Sequence, residues 1–383
     1  MQNFNTKINL QVAKYKRIFL VTLWAKSTDM KKGTITLKDI SKALNLSIST
    51  VSKSLRNSYE ISLDTKKIVV EYAAKNNYQP NPIAQGLRKG RSKLIGIVLT
   101  NIDNDFFSQV INGIESIAIE KDYTVIISQT HESWKSEVLT VQHLFSRSVD
   151  GLIVSLSAET SNIDHFTKLH DKGLPIVFFD RVTDKLDTHK VISNNFKGAY
   201  DATRHLIQNG FKRIAHITSS NHLSITQERL EGYIKALEDN NIPIDEAYIK
   251  YCIHGGMIRE ENEHALNELL SLKNPPDAIF TASDRISITT LTLLRRMNIQ
   301  IPEQIALVGF TNSVSSEIFN PSLTSIVQPA FEMGKVATEM LIQIIESRRP
   351  VTDFEKRVLN TKMMIRESSV RPVKKIMEEL FHV

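Results

Sequence analysis

A chain of 383 residues, 41% hydrophobic and 23% charged, has the composition of ordinary soluble globular protein and is long enough for more than one domain with its own core. Its single cysteine, Cys252, excludes a disulfide framework and fits a reducing cytoplasm. The net charge of +6 is unevenly spread: residues 1–33 and 34–91 each carry +6 and residues 92–383 carry −6, so a polyanion, nucleic acid above all, is expected to bind the front of the chain alone.

The chain opens on an extension, residues 1–33. Its apolar run over 18–25 follows Tyr15-Lys16-Arg17 and superficially resembles a signal peptide. It lacks a small-residue cleavage site and is far shorter than the ~20 residues that span a bilayer, so no membrane partner is expected. The extension is read as disordered, or as lying upstream of a cellular start at Met30, just before Lys31-Lys32-Gly33.

Residues 34–80 read as a three-helix module. Leu37, Ile40 and Leu44 recur at three and four, one apolar face of a helix over 37–44. Asn45 sits where the chain must turn and tolerates the left-handed conformation. Ser49 can cap a second helix over 49–56, in which Val51 and Leu55 face inward onto Ile40 and Leu44. That leaves Ile48, Ser49, Ser52, Lys53 and Arg56 outward. A four-residue gap between the two helices suits a helix-turn-helix, whose second helix can enter the DNA major groove. The same pattern also suits a small bundle with a solvated polar face. A third helix over 63–76, capped by Ser62, packs through Ile68, Val69, Tyr72 and Ala73, and Pro80 and Pro82 stop it.

Residues 81–91 read as a hinge. Asn81 as cap and Pro82 in the first position start a helix over 82–88 with Ile83, Ala84 and Leu87 on one face. Two turns with Gly86 inside are too few to be stable alone, so the helix is expected to form only against a surface. Arg88, Lys89 and Arg91 supply phosphate partners.

From Lys93 onward strands and helices alternate. Strands are expected over 94–100, 124–128, 151–155, 176–179, 213–217, 248–252, 278–281 and 306–309, with helices over 107–121, 137–147, 163–172, 198–209, 228–240, 260–271 and 286–297. Alternation of this kind builds parallel sheets covered by helices on both faces. So many units exceed one sheet, and two lobes with a ligand cleft at the strands' carboxyl ends are expected.

No catalytic set emerges. His254-Gly255-Gly256 has no Gly-x-Ser-x-Gly partner, and no phosphate-cradling Gly-x-x-x-x-Gly-Lys occurs. The eleven histidines are scattered, so neither a metal nor a cofactor is expected.

Thr36-Leu37-Lys38-Asp39-Ile40, Leu46-Ser47-Ile48-Ser49-Thr50-Val51-Ser52, Asn77-Tyr78-Gln79-Pro80-Asn81-Pro82 and Leu87-Arg88 resemble the LacI/GalR family of bacterial transcription regulators. In the body, Val149-Asp150-Gly151-Leu152-Ile153, Arg229-Leu230-Glu231-Gly232-Tyr233, Ile301-Pro302-Glu303, Val308-Gly309-Phe310, Leu323-Thr324-Ser325 and Ile365-Arg366-Glu367-Ser368-Ser369 extend the likeness to about Ser369. The resemblance implies an all-α helix-turn-helix DNA-binding domain joined by a hinge helix to an α/β two-lobed periplasmic-binding-protein-like core of type I. It implies a homodimer on a roughly palindromic double-stranded DNA operator, acting as a repressor. A small-molecule effector, a sugar or sugar derivative, would lie between the lobes and shift them. The rival reading is a sugar receptor with no DNA role. Three crossovers are expected near 187–193, 320–323 and 348–354. They put lobe 1 at 92–190 and 322–350, lobe 2 at 191–321 and 351–370, and a tail at 371–383. Helix 330–345 then belongs to the first lobe and strand 357–365 to the second.

By the same resemblance, Thr36, Ile48, Ser49, Thr50, Ser52, Lys53 and Arg56 contact DNA, as do Asn81, Ile83, Ala84, Leu87 and Arg88 in the hinge. Many relatives carry Arg at the position of Lys53, which can donate to a guanine edge but lacks the bidentate fork. The implied effector residues are Asp103, Phe106, Phe107, Asp180, Arg181, Asn194, Arg229, Ser283, Asp284 and Thr311. Arg229 would fork to hydroxyls or a carboxylate, or else hold an inter-lobe salt bridge. Phe106 or Phe107 would stack on a sugar ring, or else be core. Sugar-binding relatives often have Asn-Asp where this chain has Ser283-Asp284, and a carboxylate where it has Thr311, which points to an unusual or anionic sugar. Leu87 matches the hinge leucine that wedges into the minor groove. Leu87→Ala is expected to abolish specific operator affinity while weak binding to random DNA survives, as read by gel shift on both duplexes.

Overall fold

The structure, a computed structural model, describes residues 35–79 and 91–371, and the chain divides into units covering 1–90 and 91–383. The hinge residues Asn81, Ile83, Ala84, Leu87 and Arg88 lie outside the described residues.

The first unit holds α1 (Leu37–Leu44), α2 (Ile48–Leu55) and α3 (Leu63–Lys75). Thr36 caps α1 in a reciprocal box: the Asp39 N–H reaches the Thr36 hydroxyl at 3.3 Å, and the Thr36 N–H reaches the Asp39 carboxylate at 3.0 Å. Asn45 closes α1 in the left-handed region, with φ +51°. The cap of α2 is Ser47, not Ser49: the Thr50 N–H donates to Ser47 Oγ at 3.0 Å, and the helix has already begun at Ile48. Ser62 caps α3 as expected. Ile40, Val51, Val69 and Ala73 form the core, with Leu37, Leu44, Leu55 and Tyr72 packed around them. Ile68, expected inside, is exposed, because the inward line of α3 runs through Val69, Tyr72 and Ala73.

The second unit is built on two six-stranded sheets. The first lobe contains β1 (Leu94–Leu99), α4 (Asp105–Glu120), β2 (Thr124–Gln129), α5 (Trp134–Ser146), β3 (Gly151–Val154), α6 (Asp164–His170), β4 (Ile176–Phe179) and β5 (Lys190–Ser193). The second contains α7 (Asn195–Gln208), β6 (Ile214–Thr218), α8 (Ser224–Asp239), β7 (Ile249–Tyr251), α9 (Arg259–Leu270), β8 (Ala278–Thr281), α10 (Asp284–Arg296), β9 (Ala306–Phe310) and β10 (Thr324–Val327). The chain then returns to the first lobe for α11 (Ala330–Glu346) and β11 (Lys356–Leu359), and finishes in the second with β12 (Lys362–Met364). Strand order is β11-β5-β4-β3-β1-β2 in one sheet and β12-β10-β9-β8-β6-β7 in the other; all pairs are parallel except β10 with β12. Each sheet carries an apolar cluster on both faces, as buried parallel strands require.

These pairings move all three expected crossovers later. Residues 190–193 form a strand of the first sheet, so the chain leaves lobe 1 at Asn194 rather than before Val191. Residues 324–327 pair with β9 in the second sheet, so the return to lobe 1 comes at Gln328, not at 320–323. The expected strand 357–365 is two strands: β11 pairs with β5 in lobe 1 and β12 with β10 in lobe 2, with the crossing at Asn360 and Thr361. The lobe boundaries at 190, 322 and 351 are corrected accordingly.

The first lobe is clamped where α4 crosses α11. A Cβ on Gly113 would lie 2.0 Å from the Phe331 carbonyl, and one on Gly334 would lie 2.1 Å from the Val110 carbonyl. Each backbone therefore needs the other's glycine. Gly334→Ala is expected to cost about 1–3 kcal/mol through forced separation of the helices, read as a lower urea midpoint.

Candidate functional sites

The outward face of α2 is the candidate nucleic-acid interface. Ile48, Ser49 and Arg56 are exposed, and Thr50, Ser52 and Lys53 are half-buried. Thr50 is drawn into the helix cap, its hydroxyl 2.8 Å from that of Ser47. Arg56 folds back on α2, donating to the Ser52 carbonyl at 3.0 Å and its hydroxyl at 3.2 Å. The Lys53 ammonium is ion-paired with Glu60. Thr36 serves as the cap of α1, at the edge of the same module.

The candidate effector site lies where the carboxyl ends of both sheets meet. Contacts that join the lobes define it: Arg285 to Asp103 at 2.6 Å, the Val314 N–H to Asp105 at 3.0 Å, Asn312 to Gln109 at 2.9 Å, and His222 to the Ala158 carbonyl. At its centre the buried Arg229 donates to Asn195 Oδ1 at 2.9 Å and to the Ala282 carbonyl at 2.5 Å, and its guanidinium carbon lies 3.8 Å from the Phe310 ring centre. Burial pushes its pKa down to about 10, against the pull of Asp180 and Glu228. No carboxylate forms an ion pair with it among the described residues.

Asp180 closes β4 with φ +56°, a region few non-glycine residues adopt. It is buried, and burial raises its pKa despite Arg181, Arg229 and Gln328. Gln328 bridges Asp180 at 3.5 Å and Ser193 at 3.0 Å. Arg181 is ion-paired with Glu132 at 2.6 Å. Burial alone would raise the Glu132 carboxyl, and Arg181 holds it below its ordinary range. Glu137, wholly buried, accepts from the Ser157 N–H at 2.8 Å and binds Thr160 and His165, fixing the loop after β3. Ser155 Oγ, Arg181 Nε, Thr218 Oγ1 and Ser219 Oγ, at the strand ends of both lobes, are buried without a protein partner. Buried polar groups are rarely left unsatisfied, so unpartnered hydroxyl and guanidinium groups at the strand ends of both lobes are open to a ligand's polar groups.

The model of the bacterial regulatory proteins, lacI family, matches residues 36–81, and that of the periplasmic binding protein-like domain matches residues 203–369. The "Probable HTH-type transcriptional repressor ExuR" of Bacillus subtilis (strain 168) is 30% identical over 338 residues, which cover 87% of this chain and 98% of the relative. The ribose operon repressor of Haemophilus influenzae is 30% identical over 336 residues, again 87% and 98%. This chain belongs to the lacI family of bacterial regulatory proteins. Among solved structures, the complex of the transcriptional regulator CelR with cellobiose is 26% identical, with a TM-score of 0.65 over 87% of this chain and 99% of that one.

Against this lacI-family frame, several expected effector residues do other work. Phe106 and Phe107 lie in the lobe 1 core, Phe107 edge-on to Phe179 with ring centres 6.2 Å apart. Asn194 caps α7, its side chain accepting the Lys197 N–H at 3.1 Å, and it bonds Asn360 at the crossover. Its neighbour Asn195 is the one that meets Arg229. Ser283 caps α10. The Thr311 hydroxyl donates to Asp284, which also accepts the Asn312 N–H at 2.8 Å; burial nevertheless raises the Asp284 pKa. Asp103 forms an inter-lobe ion pair. Asp180, Arg181 and Arg229 act on one another electrostatically at the centre, where sequence reasoning did not name Glu132, Ser193 or Gln328. The pair Asn194-Asn195 after the first crossover resembles an Asp-Asn pair common in relatives, and of the two it is Asn195 that bonds Arg229.

Beneath Arg229, His216 stacks between Tyr233 and Phe280, and burial pushes its pKa down to about 3. It is neutral when folded, whereas the unfolded chain takes up a proton below about pH 6.5. The stability it allows is therefore full above about pH 6.5 and is lost as pH falls toward 3, by about 2 kcal/mol at pH 5. Thermal melts at pH 7 and pH 5 are expected to differ less for His216→Phe than for the parent chain.

Proposed function

We propose that this lacI-family regulator is a cytoplasmic repressor that binds a roughly palindromic double-stranded operator as a homodimer. A sugar or sugar derivative in the inter-lobe cleft controls it. The observation that carries the DNA reading is the capped helix pair of α1 and α2 with Ile48, Ser49, Ser52 and Lys53 on one outward face. Leu87 and its neighbours in the hinge are the proposed minor-groove contacts. For the effector, Arg229, Asn195, Asp180, Arg181 and Gln328 are the proposed ligand contacts, and the unpartnered hydroxyls of Ser155, Thr218 and Ser219 favour a ligand rich in hydroxyl groups. The names of the ribose operon repressor and the CelR–cellobiose complex support a carbohydrate. The relatives' names as transcriptional repressors support a binding role rather than a catalytic one.

Self-association is supported by an apolar face on lobe 2. Ile318 is 82% exposed next in the chain to Phe319, which with Ile288, Leu291, Thr292, Arg295 and Arg296 lines a cavity of about 350 Å³. Apolar patches of this kind mark protein interfaces.

The test is a gel shift on the DNA upstream of the chain's own gene, with salt series and with a sugar panel including ribose, cellobiose and a uronic acid. A sequence-selective, salt-sensitive shift that one sugar alters is expected. Arg229→Met should keep the shift and lose the sugar response. A chain that binds a sugar but shifts no DNA would be a receptor instead.

A further inference from the structure

The basic residues of α2 are not equally free. Arg56 is tied to Ser52 of its own helix, whereas Lys53 is ion-paired with Glu60, on the connection between α2 and α3. Residues 35–79 hold four carboxylates. Asp39 belongs to the cap of α1, Asp64 stands in the first turn of α3, and Glu71 lies further along α3. Glu60 alone touches the reading helix.

Both partners are partly exposed, and an exposed pair contributes little to folding in water. Its cost arises when the face meets DNA. A carboxylate beside a polyanion is repelled, and moving Lys53 onto a phosphate would strand Glu60 unpaired against that field. Both groups are satisfied together only where the groove offers an acceptor for Lys53 beside an exocyclic amino group, of cytosine or adenine, that donates to Glu60. A carboxylate at this position thus works against wrong sequences as much as for the right one.

Building on the DNA-reading role of α2, we propose that Glu60 is a specificity-determining residue: joined to Lys53, it makes that lysine's contact conditional on a base edge that presents an acceptor and an amino donor together. The contact couples two side chains, so the effect of Glu60 runs through Lys53. Both sit on the module's surface, so the core of Ile40, Val51, Val69 and Ala73 is untouched by substitution.

The test uses the full chain. Duplexes enriched from a random pool by the parent protein are compared with the unenriched pool across a salt series. For Glu60→Gln, binding to the unenriched pool should tighten about fivefold with a steeper salt slope. The enriched duplex should gain less, so the selectivity ratio falls. In a Lys53→Met background the same substitution should leave that ratio unchanged. Equal tightening on both duplexes, or an undiminished effect without Lys53, would overturn the proposal. Failure of the parent chain to enrich any sequence would overturn the DNA reading itself, and it would be seen before any variant is compared.

Discussion

The body of this molecule is organised around one buried cation. Arg229 projects from α8 into the junction of the two lobes, held by a side-chain amide, a backbone carbonyl and an aromatic face rather than by a carboxylate. A guanidinium stripped of water and left without a full counter-charge is costly unless its hydrogen bonds are good. The surrounding architecture supplies them. Asn195 stands on the first residue of α7 directly after a crossover, and Ala282 at the carboxyl end of β8 offers its carbonyl. The donors left over at the strand ends are the contacts proposed for a hydroxyl-bearing guest.

Much of the fold was legible because periodicity survives in long elements. The helix pair of the reader follows from apolar spacing at three and four, and its ends fall within a residue of expectation. Three short stretches escaped. Lys190–Ser193 and Thr324–Val327 are four-residue strands interrupted by polar side chains, and nothing in so short a run separates a strand from a crossover. The third looked like a single strand because no Gly or Pro interrupts residues 357–365, although hydrogen bonding passes from one sheet to the other at Asn360 and Thr361.

The site was less legible than the frame. Arg229 and Asp180 could be named because resemblance marks their positions. Gln328 could not, since a glutamine carries no periodic or compositional signal, and its role depends on lying at the second crossover between Asp180 and Ser193. The adjacent asparagines 194 and 195 divide between capping and site by backbone geometry alone. Phe106 and Phe107 follow burial: an aromatic pair at the start of a long helix packs into the sheet it covers. Ser283 and Thr311, which stand where sugar-binding relatives carry other residues, turn out to serve a helix cap and the Asp284 carboxylate.

The threefold passage between lobes also bears on how the protein is made. Among the described residues, the core of the reader lies wholly within residues 35–79. Lobe 1, by contrast, lacks α11 and β11 until residue 359 has been synthesised, and lobe 2 lacks its antiparallel edge until residue 364. Domains fold as their chains emerge from the ribosome, N-terminal parts first. A nascent or truncated chain therefore presents a DNA-reading module well before either half of its control element is complete, and only a full-length product carries the reader together with the cleft meant to govern it.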